Sequence, residues 1–255
     1  MHLGCEEDIK QAFGGSVVAR YSLAKHVFVC RNEDFIIVLD VHEDRYFSLD
    51  AGRTAALAPF LPGWPASATD PGAGTGPPVE EVVAPLLAQG WLLEESACGK
   101  EATPASVVAP HIELLSGLED GRPKVGFADA LAFFAASVRA RFLMRTGSFE
   151  RVIRRVAARK AAACARGARA VDIERARRLM AVFGYLRAFL FSHREECLRD
   201  SFAVLEFLAG YGIFPEWVFG ARARPFVAHC WVQYEGVVFN DTAEHAGGYT
   251  PIMVI

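Results

Sequence analysis

Cys197, His229 and Asp241 are the residues of this 255-residue chain whose types and order suit nucleophilic catalysis. A cysteine nucleophile needs a thiolate, an imidazole to pair with it and a polar group to orient that imidazole. Cys197 follows the polar run Ser192-His193-Arg194-Glu195-Glu196 and opens a helical pattern that ends near Ala209, before Gly210 and Gly212. Unpaired N–H groups and the positive dipole at a helix start favour thiolate over thiol, and the same donors suit an oxyanion. His229–Gln233 and Val237–Asp241 read as two strand arms joined by Tyr234-Glu235-Gly236. As a three-residue loop with Gly236 in the left-handed position, this connection sets His229 opposite Asp241, with Cβ atoms ~5 Å apart. A two-residue loop instead sets His229 against Thr242 and turns Asp241 to the other face.

Each of the three also has a plain structural reading. A cysteine at a helix start is often a small buried hydrophobe, a strand histidine a packed polar residue, and an aspartate before Thr242 a turn residue. Cys230 is expected to face away from His229, because neighbours on one strand point to opposite sides. His193 and Cys197, with His229 and Cys230, make a thin zinc pattern without a C-x-x-C or H-E-x-x-H core, so no metal is expected.

The composition narrows the setting. Net charge is −3 and charged residues make up 22% of the chain, which argues against whole-protein attraction to nucleic acid or membrane. The polar, acidic start Met1–Asp8 lacks the basic patch and apolar stretch of a signal peptide, and no apolar run reaches the ~18 residues that span a bilayer. A cytoplasmic protein is expected, with its six scattered cysteines (5, 30, 98, 164, 197 and 230) as thiols. Residues 139–178 carry twelve Arg and one Lys against Glu150, Asp172 and Glu174. Solvated helix faces, with arginine stems over apolar surface, explain that excess; a docking surface for an acidic peptide or partner is the functional alternative.

The elements that must position these residues follow from pattern. Short β-branched and aromatic runs at 27–31, 35–39 and 45–49, separated by polar turns, predict a three-strand meander. Asp50 suits an N-cap for a helix over 51–60, residues 62–78 are a Pro/Gly loop, and 79–89 is an amphipathic helix that contains Pro85. Trp91-Leu92-Leu93 is extended. Residues 127–191 predict three helices, with breaks at Gly147 and 164–167, and 215–219, 226–233 and 237–241 predict strands. The class is α+β. The expected division is 1–95, a connector at 96–126, and 127–255.

Cys197-Leu198, Pro225-Phe226-Val227-Ala228-His229-Cys230-Trp231-Val232, Asn240-Asp241 and Tyr249-Thr250-Pro251 together resemble the B proteins of lasso-peptide biosynthesis. These are leader peptidases with a transglutaminase-like, papain-like fold. The resemblance implies that Cys197, His229 and Asp241 form the catalytic triad. Position 230 is Cys where that family usually has Ala or Ser, and position 233 is Gln where Glu is common. Phe35–Leu39 and Tyr46–Leu49 resemble the winged-helix-like leader-recognition modules related to the pyrroloquinoline-quinone chaperone family. Such a module grips a precursor's leader as an added strand. The expected leader-binding residues are Arg45, Tyr46, Phe47, Ser48 and Leu49 on the third strand, with Val82 and Leu86 on the second helix.

The resemblance implies leader cleavage from a ribosomal precursor and handover of the core to a cyclase resembling asparagine synthetase. No cofactor is expected, and any ATP requirement falls to that cyclase, since no phosphate-binding loop is present. Two rivals stand beside this reading. One is an acyl transferase or transglutaminase with the same triad, and the other a peptide-binding protein without catalysis.

Overall fold

The computed structural model describes residues 20–66, 76–94, 98–115, 122–167, 170–188 and 197–255. Cys5, His193, the middle of the 62–78 loop and the end of the helical region near 191 lie outside the described residues.

The predicted meander is a three-stranded antiparallel sheet of β2 (Val27–Asn32), β3 (Phe35–Asp40) and β4 (Arg45–Leu49), in the order β2-β3-β4. Strand alternation gives this sheet two apolar faces. Val27, Val29, Ile36 and Val38 pack under α1 (Ala51–Leu57) and α2 (Val79–Ala88). Asp50 caps α1 by accepting from the Arg53 N–H at 2.9 Å. A two-stranded piece, β1 (Tyr21–Leu23) with β5 (Leu92–Glu94), closes this unit. The sequence pattern showed β5 but not its partner.

Asp40, at the end of β3, is 3% exposed and organises the β3–β4 turn. Its carboxylate accepts from Trp91 Nε1 at 2.7 Å and from the His42 and Glu43 N–H groups at 2.9 and 3.2 Å. Asp40→Ala leaves the buried Trp91 N–H without a partner and is expected to cost about 2–3 kcal/mol in urea unfolding. A loss below ~0.5 kcal/mol would show that the bond contributes little.

The larger part of the chain joins helices to a second sheet. The helical region resolves into α3 (Phe127–Thr146), α4 (Phe149–Ala165) and α5 (Ile173–Arg187), with the breaks where Gly147 and residues 164–167 predicted them. Next come α6 (Cys197–Gly210), β7 (Glu216–Arg222), β8 (Val227–Tyr234), β9 (Val237–Val238), the short α7 (Ala243–Gly247) and β10 (Thr250–Val254). The sheet order is β10-β7-β8-β9-β6. Its edge strand β6 (Ile112–Glu113) comes from the stretch expected to be a connector and runs parallel to β9. Among the described residues, no helix is long and apolar enough to cross a membrane.

The arginine excess has a specific structural use. Glu206, on α6, is 4% exposed and faces Arg159 at 2.7 Å, Arg139 at 3.1 Å and Arg155 at 3.8 Å. A carboxylate is costly to bury unless it is paired, and these three guanidinium groups tie α3 and α4 to α6.

The second face of the small sheet docks on the larger part. Cys30, Ile37, Leu39 and Val41 share one apolar cluster with Phe202, Trp217, Phe219 and Met253. Asn32 fastens the contact: its Nδ2 donates to Thr250 Oγ1 at 2.8 Å, and its Oδ1 accepts from the Ala223 N–H at 2.8 Å. This docking brings β4 beside Cys197.

Candidate active site

Cys197 is the first described residue of α6, whose Ser201–Leu208 stretch is buried between α3 and the sheet. Ser201, one turn on, donates its hydroxyl to the Cys197 carbonyl at 2.7 Å and accepts from Trp217 Nε1 at 2.9 Å. The first turn of α6 is thereby fixed to the sheet. His229 sits on β8 opposite Gly220 of β7. A Cβ at Gly220 would lie 2.9 Å from the Trp231 ring and 2.8 Å from the Tyr249 Cβ, so glycine lets both rings close behind His229.

Asp241 reaches His229, but not through the predicted turn. The register Tyr234↔Val237 and Gln233↔Val238 leaves a two-residue loop, Glu235-Gly236. Both residues have positive φ (48° and 79°), as a type I′ turn requires. In a regular hairpin that register turns Asp241 away from His229. The strand expected over 237–241 instead stops at Val238. After the Phe239 N–H bonds the Val232 carbonyl at 2.8 Å, the Asn240 side chain takes the next ladder position, with Oδ1 accepting from the Val232 N–H at 2.8 Å. Freed from the sheet, the chain swings Asp241 back to place Oδ2 2.5 Å from His229 Nε2.

Two further residues complete this corner. Thr242 caps α7, accepting from the His245 N–H, and α7 presents His245 Nδ1 to Asp241 Oδ2 at 2.9 Å. Tyr249 Oη lies 3.3 Å from His245 Nε2. His245 was missed in the sequence; its signal is the spacing of four from Asp241 on a capped helix. His229, Asp241 and His245 form a cluster whose donor set could also hold a metal ion. The 2.5 Å and 2.9 Å hydrogen bonds already account for the arrangement.

With Nε2 on Asp241, Nδ1 is the His229 nitrogen left to serve Cys197, which lines the same cavity. The Cys197 thiol is pushed down to about 4 by hydrogen bonds from Cys230 and His229, against the opposing effect of burial. Burial lowers the His229 imidazole, but Asp241 and Cys197 outweigh it and hold it up at about 9. Burial likewise opposes ionisation of Asp241, while His229, His245 and the Thr242 N–H outweigh it and hold the carboxyl below its usual range. The resting pair is thus thiolate and imidazolium between about pH 4 and pH 9. Turnover should fall below the lower value, where the thiolate is protonated, and above the upper, where His229 loses the proton a leaving amine needs. A kcat/KM profile with one limb near ~6.5, the value of an ordinary imidazole, would contradict this.

Cys230 was expected to point away from the site. It does point toward α6, where its Sγ lies 3.3 Å from Ser201 Oγ, but Cys197 sits there too: the two residues line one cavity, and Cys230 helps hold the Cys197 thiol down. Gln233 has a role of its own. It is fully buried, accepts from Trp231 Nε1 at 2.7 Å and donates to the Val108 carbonyl at 2.8 Å. An ionised glutamate could not make that donation.

The expected leader-binding residues divide. Tyr46, with Asp44, lines the same cavity of about 150 Å³ as Cys197, His229 and Cys230. Tyr46, Phe47 and Ser48 also line an adjoining crevice with Phe35, Ala223 and Phe226. Arg45 is exposed beside Glu43, at 3.4 Å. Leu49, Val82 and Leu86 are buried core residues and offer a peptide no surface, a correction to the expected groove. Apolar alternation reads alike for a core face and for a groove.

No curated protein and no solved structure matched the chain. Residues 136–254 match the transglutaminase-like superfamily, whose members are generally cysteine-type peptidases or transglutaminases. The matched span holds α6, the whole β7–β10 sheet region and all three candidate catalytic residues. Residues 136–254 of this α+β protein are a transglutaminase-like superfamily domain.

Proposed function

We propose that the chain is a cysteine peptidase that removes the leader from a ribosomally made lasso precursor. One observation carries this reading: a Cys197–His229–Asp241 constellation opens into a cavity walled on one side by β4 of the small sheet. Among the described residues β4 is an edge strand, so its outer N–H and C=O groups can pair with an extended peptide. A peptide added antiparallel to β4 (Arg45–Leu49) leaves at the Arg45 end, beside Asp44 and Tyr46, and so enters the cavity with its C-terminal part. Cys197 then attacks the scissile carbonyl, His229 donates a proton to the leaving amine, and Asp241 holds the imidazole tautomer. The released core passes to a cyclase resembling asparagine synthetase, and no cofactor takes part in the cleavage.

The test is a leader–core peptide incubated with the purified chain, with and without cyclase, and read by mass spectrometry. A leader fragment with a free carboxylate supports hydrolysis. Transfer of that acyl group to an added amine supports the acyl-transferase alternative, which this superfamily also accommodates. Phe47→Asp places a charge beside the open edge without touching the Cys197 cavity. It should weaken leader binding by roughly tenfold while iodoacetamide labels Cys197 at the wild-type rate. Equal binding by the variant and wild type in a titration would remove β4 from recognition.

A further inference from the structure

We propose that Cys230 is a resolving thiol for Cys197, so that peroxide switches the site off reversibly through a Cys197–Cys230 disulfide. This rests on reading Cys197 as the nucleophile. Three observations meet at Cys230. Cys230 and Cys197 line one cavity, with the Cys230 side chain turned toward the first turn of α6. The Ser201 hydroxyl touches both, donating to the Cys197 carbonyl at 2.7 Å and lying 3.3 Å from the Cys230 sulfur, whose S–H it can accept. Cys230 is a free thiol, 3% exposed, and the cleavage chemistry assigns it no step. Serine is close to cysteine in size, so packing alone does not call for sulfur.

The chemistry balances with hydrogen peroxide as the oxidant. The Cys197 thiolate attacks one peroxide oxygen, the O–O bond breaks and an S–O bond forms. The other oxygen leaves as hydroxide and takes a proton from the His229 imidazolium, giving water. The Cys230 sulfur then attacks the sulfenic sulfur of Cys197. The S–O bond breaks, an S–S bond forms, and a second water carries off the Cys230 thiol proton. Two thiols lose two electrons and one peroxide gains them. Peroxide needs to reach only Cys197, which is half-buried at the open cavity, while Cys230 waits beneath. Capture by Cys230 competes with a second oxidation to the irreversible sulfinic acid.

The experiment treats the full-length wild type and Cys230→Ser with a small molar excess of peroxide, then blocks remaining thiols and measures intact and peptide masses. Wild type should lose two hydrogens, yield a Cys197–Cys230 cross-linked peptide, and regain Cys197 alkylation by roughly tenfold or more after dithiothreitol. Cys230→Ser should instead add two oxygens at Cys197 and regain nothing. Cys230→Ala serves the same purpose if the serine variant fails to fold. Irreversible oxidation of wild-type Cys197, or a cross-link to any other cysteine, would overturn the proposal. Because mass is read without substrate, the switch and the peptidase reading can fail separately.

Discussion

Replacing Cys197 by Ala should lower leader–core cleavage by at least ~10³-fold while leader affinity stays within about twofold of wild type. The two readouts separate because the sulfur and the proposed binding edge lie on different elements. Cys197 belongs to α6, whereas β4, among the described residues, pairs only with β3. The variant deletes one sulfur at the mouth of an open cavity and leaves the Ser201–Trp217 bond that fixes the first turn. Loss of fold is therefore not expected to confuse the result. Cleavage by Cys197→Ala at the wild-type rate would dismiss the constellation, whatever its geometry.

Asp241→Asn should be the next most damaging change, lowering kcat/KM by about 10²–10⁴-fold. Asp241 supplies charge as well as position, since its carboxylate, together with Cys197, offsets the burial that disfavours the His229 imidazolium. An asparagine amide keeps the contact without the charge. The basic limb of the pH profile should therefore move down from about 9 toward the ordinary imidazole value. The sign follows from the linkage: a raised imidazole stays protonated to higher pH, and removing its counter-charge shortens that range. His245→Ala is the control. Its ring is about half exposed and touches Asp241 and Tyr249 rather than the sulfur, so a loss under about tenfold is expected. Equal losses for Asp241→Asn and His245→Ala would mean that the two histidines share the catalytic work.

Residue type and spacing made the candidate residues legible because each stands at a signalled place: Cys197 after a polar run, and His229 and Asp241 on arms around a glycine turn. What stayed hidden was how Asp241 arrives. Gly236 marks a left-handed position in a two-residue loop and a three-residue loop alike. Only the observed register shows that Glu235 shares it. The departure of the chain at Asn240 has no periodic signature, because a side-chain amide replaces a backbone carbonyl at one ladder position. β6 was invisible for a similar reason, since a two-residue strand is too short for alternation to register. The arginine excess was visible as composition alone. Its common target, Glu206, reads in sequence as a lone acid within the apolar run Phe202–Leu208, and only packing brings Arg139, Arg155 and Arg159 to it.

The seating of the small sheet through Asn32 and the shared apolar cluster has a metric consequence. It makes the path from the β4 edge to the Cys197 sulfur a fixed length rather than a tether of variable reach. An extended peptide advances ~3.3 Å per residue, so a substrate gripped on β4 meets the thiol a set number of residues further along. On the proposed reading the protein is a ruler. The bond that breaks is chosen by counting from the gripped segment, and residues added between grip and core would move the cut rather than abolish it.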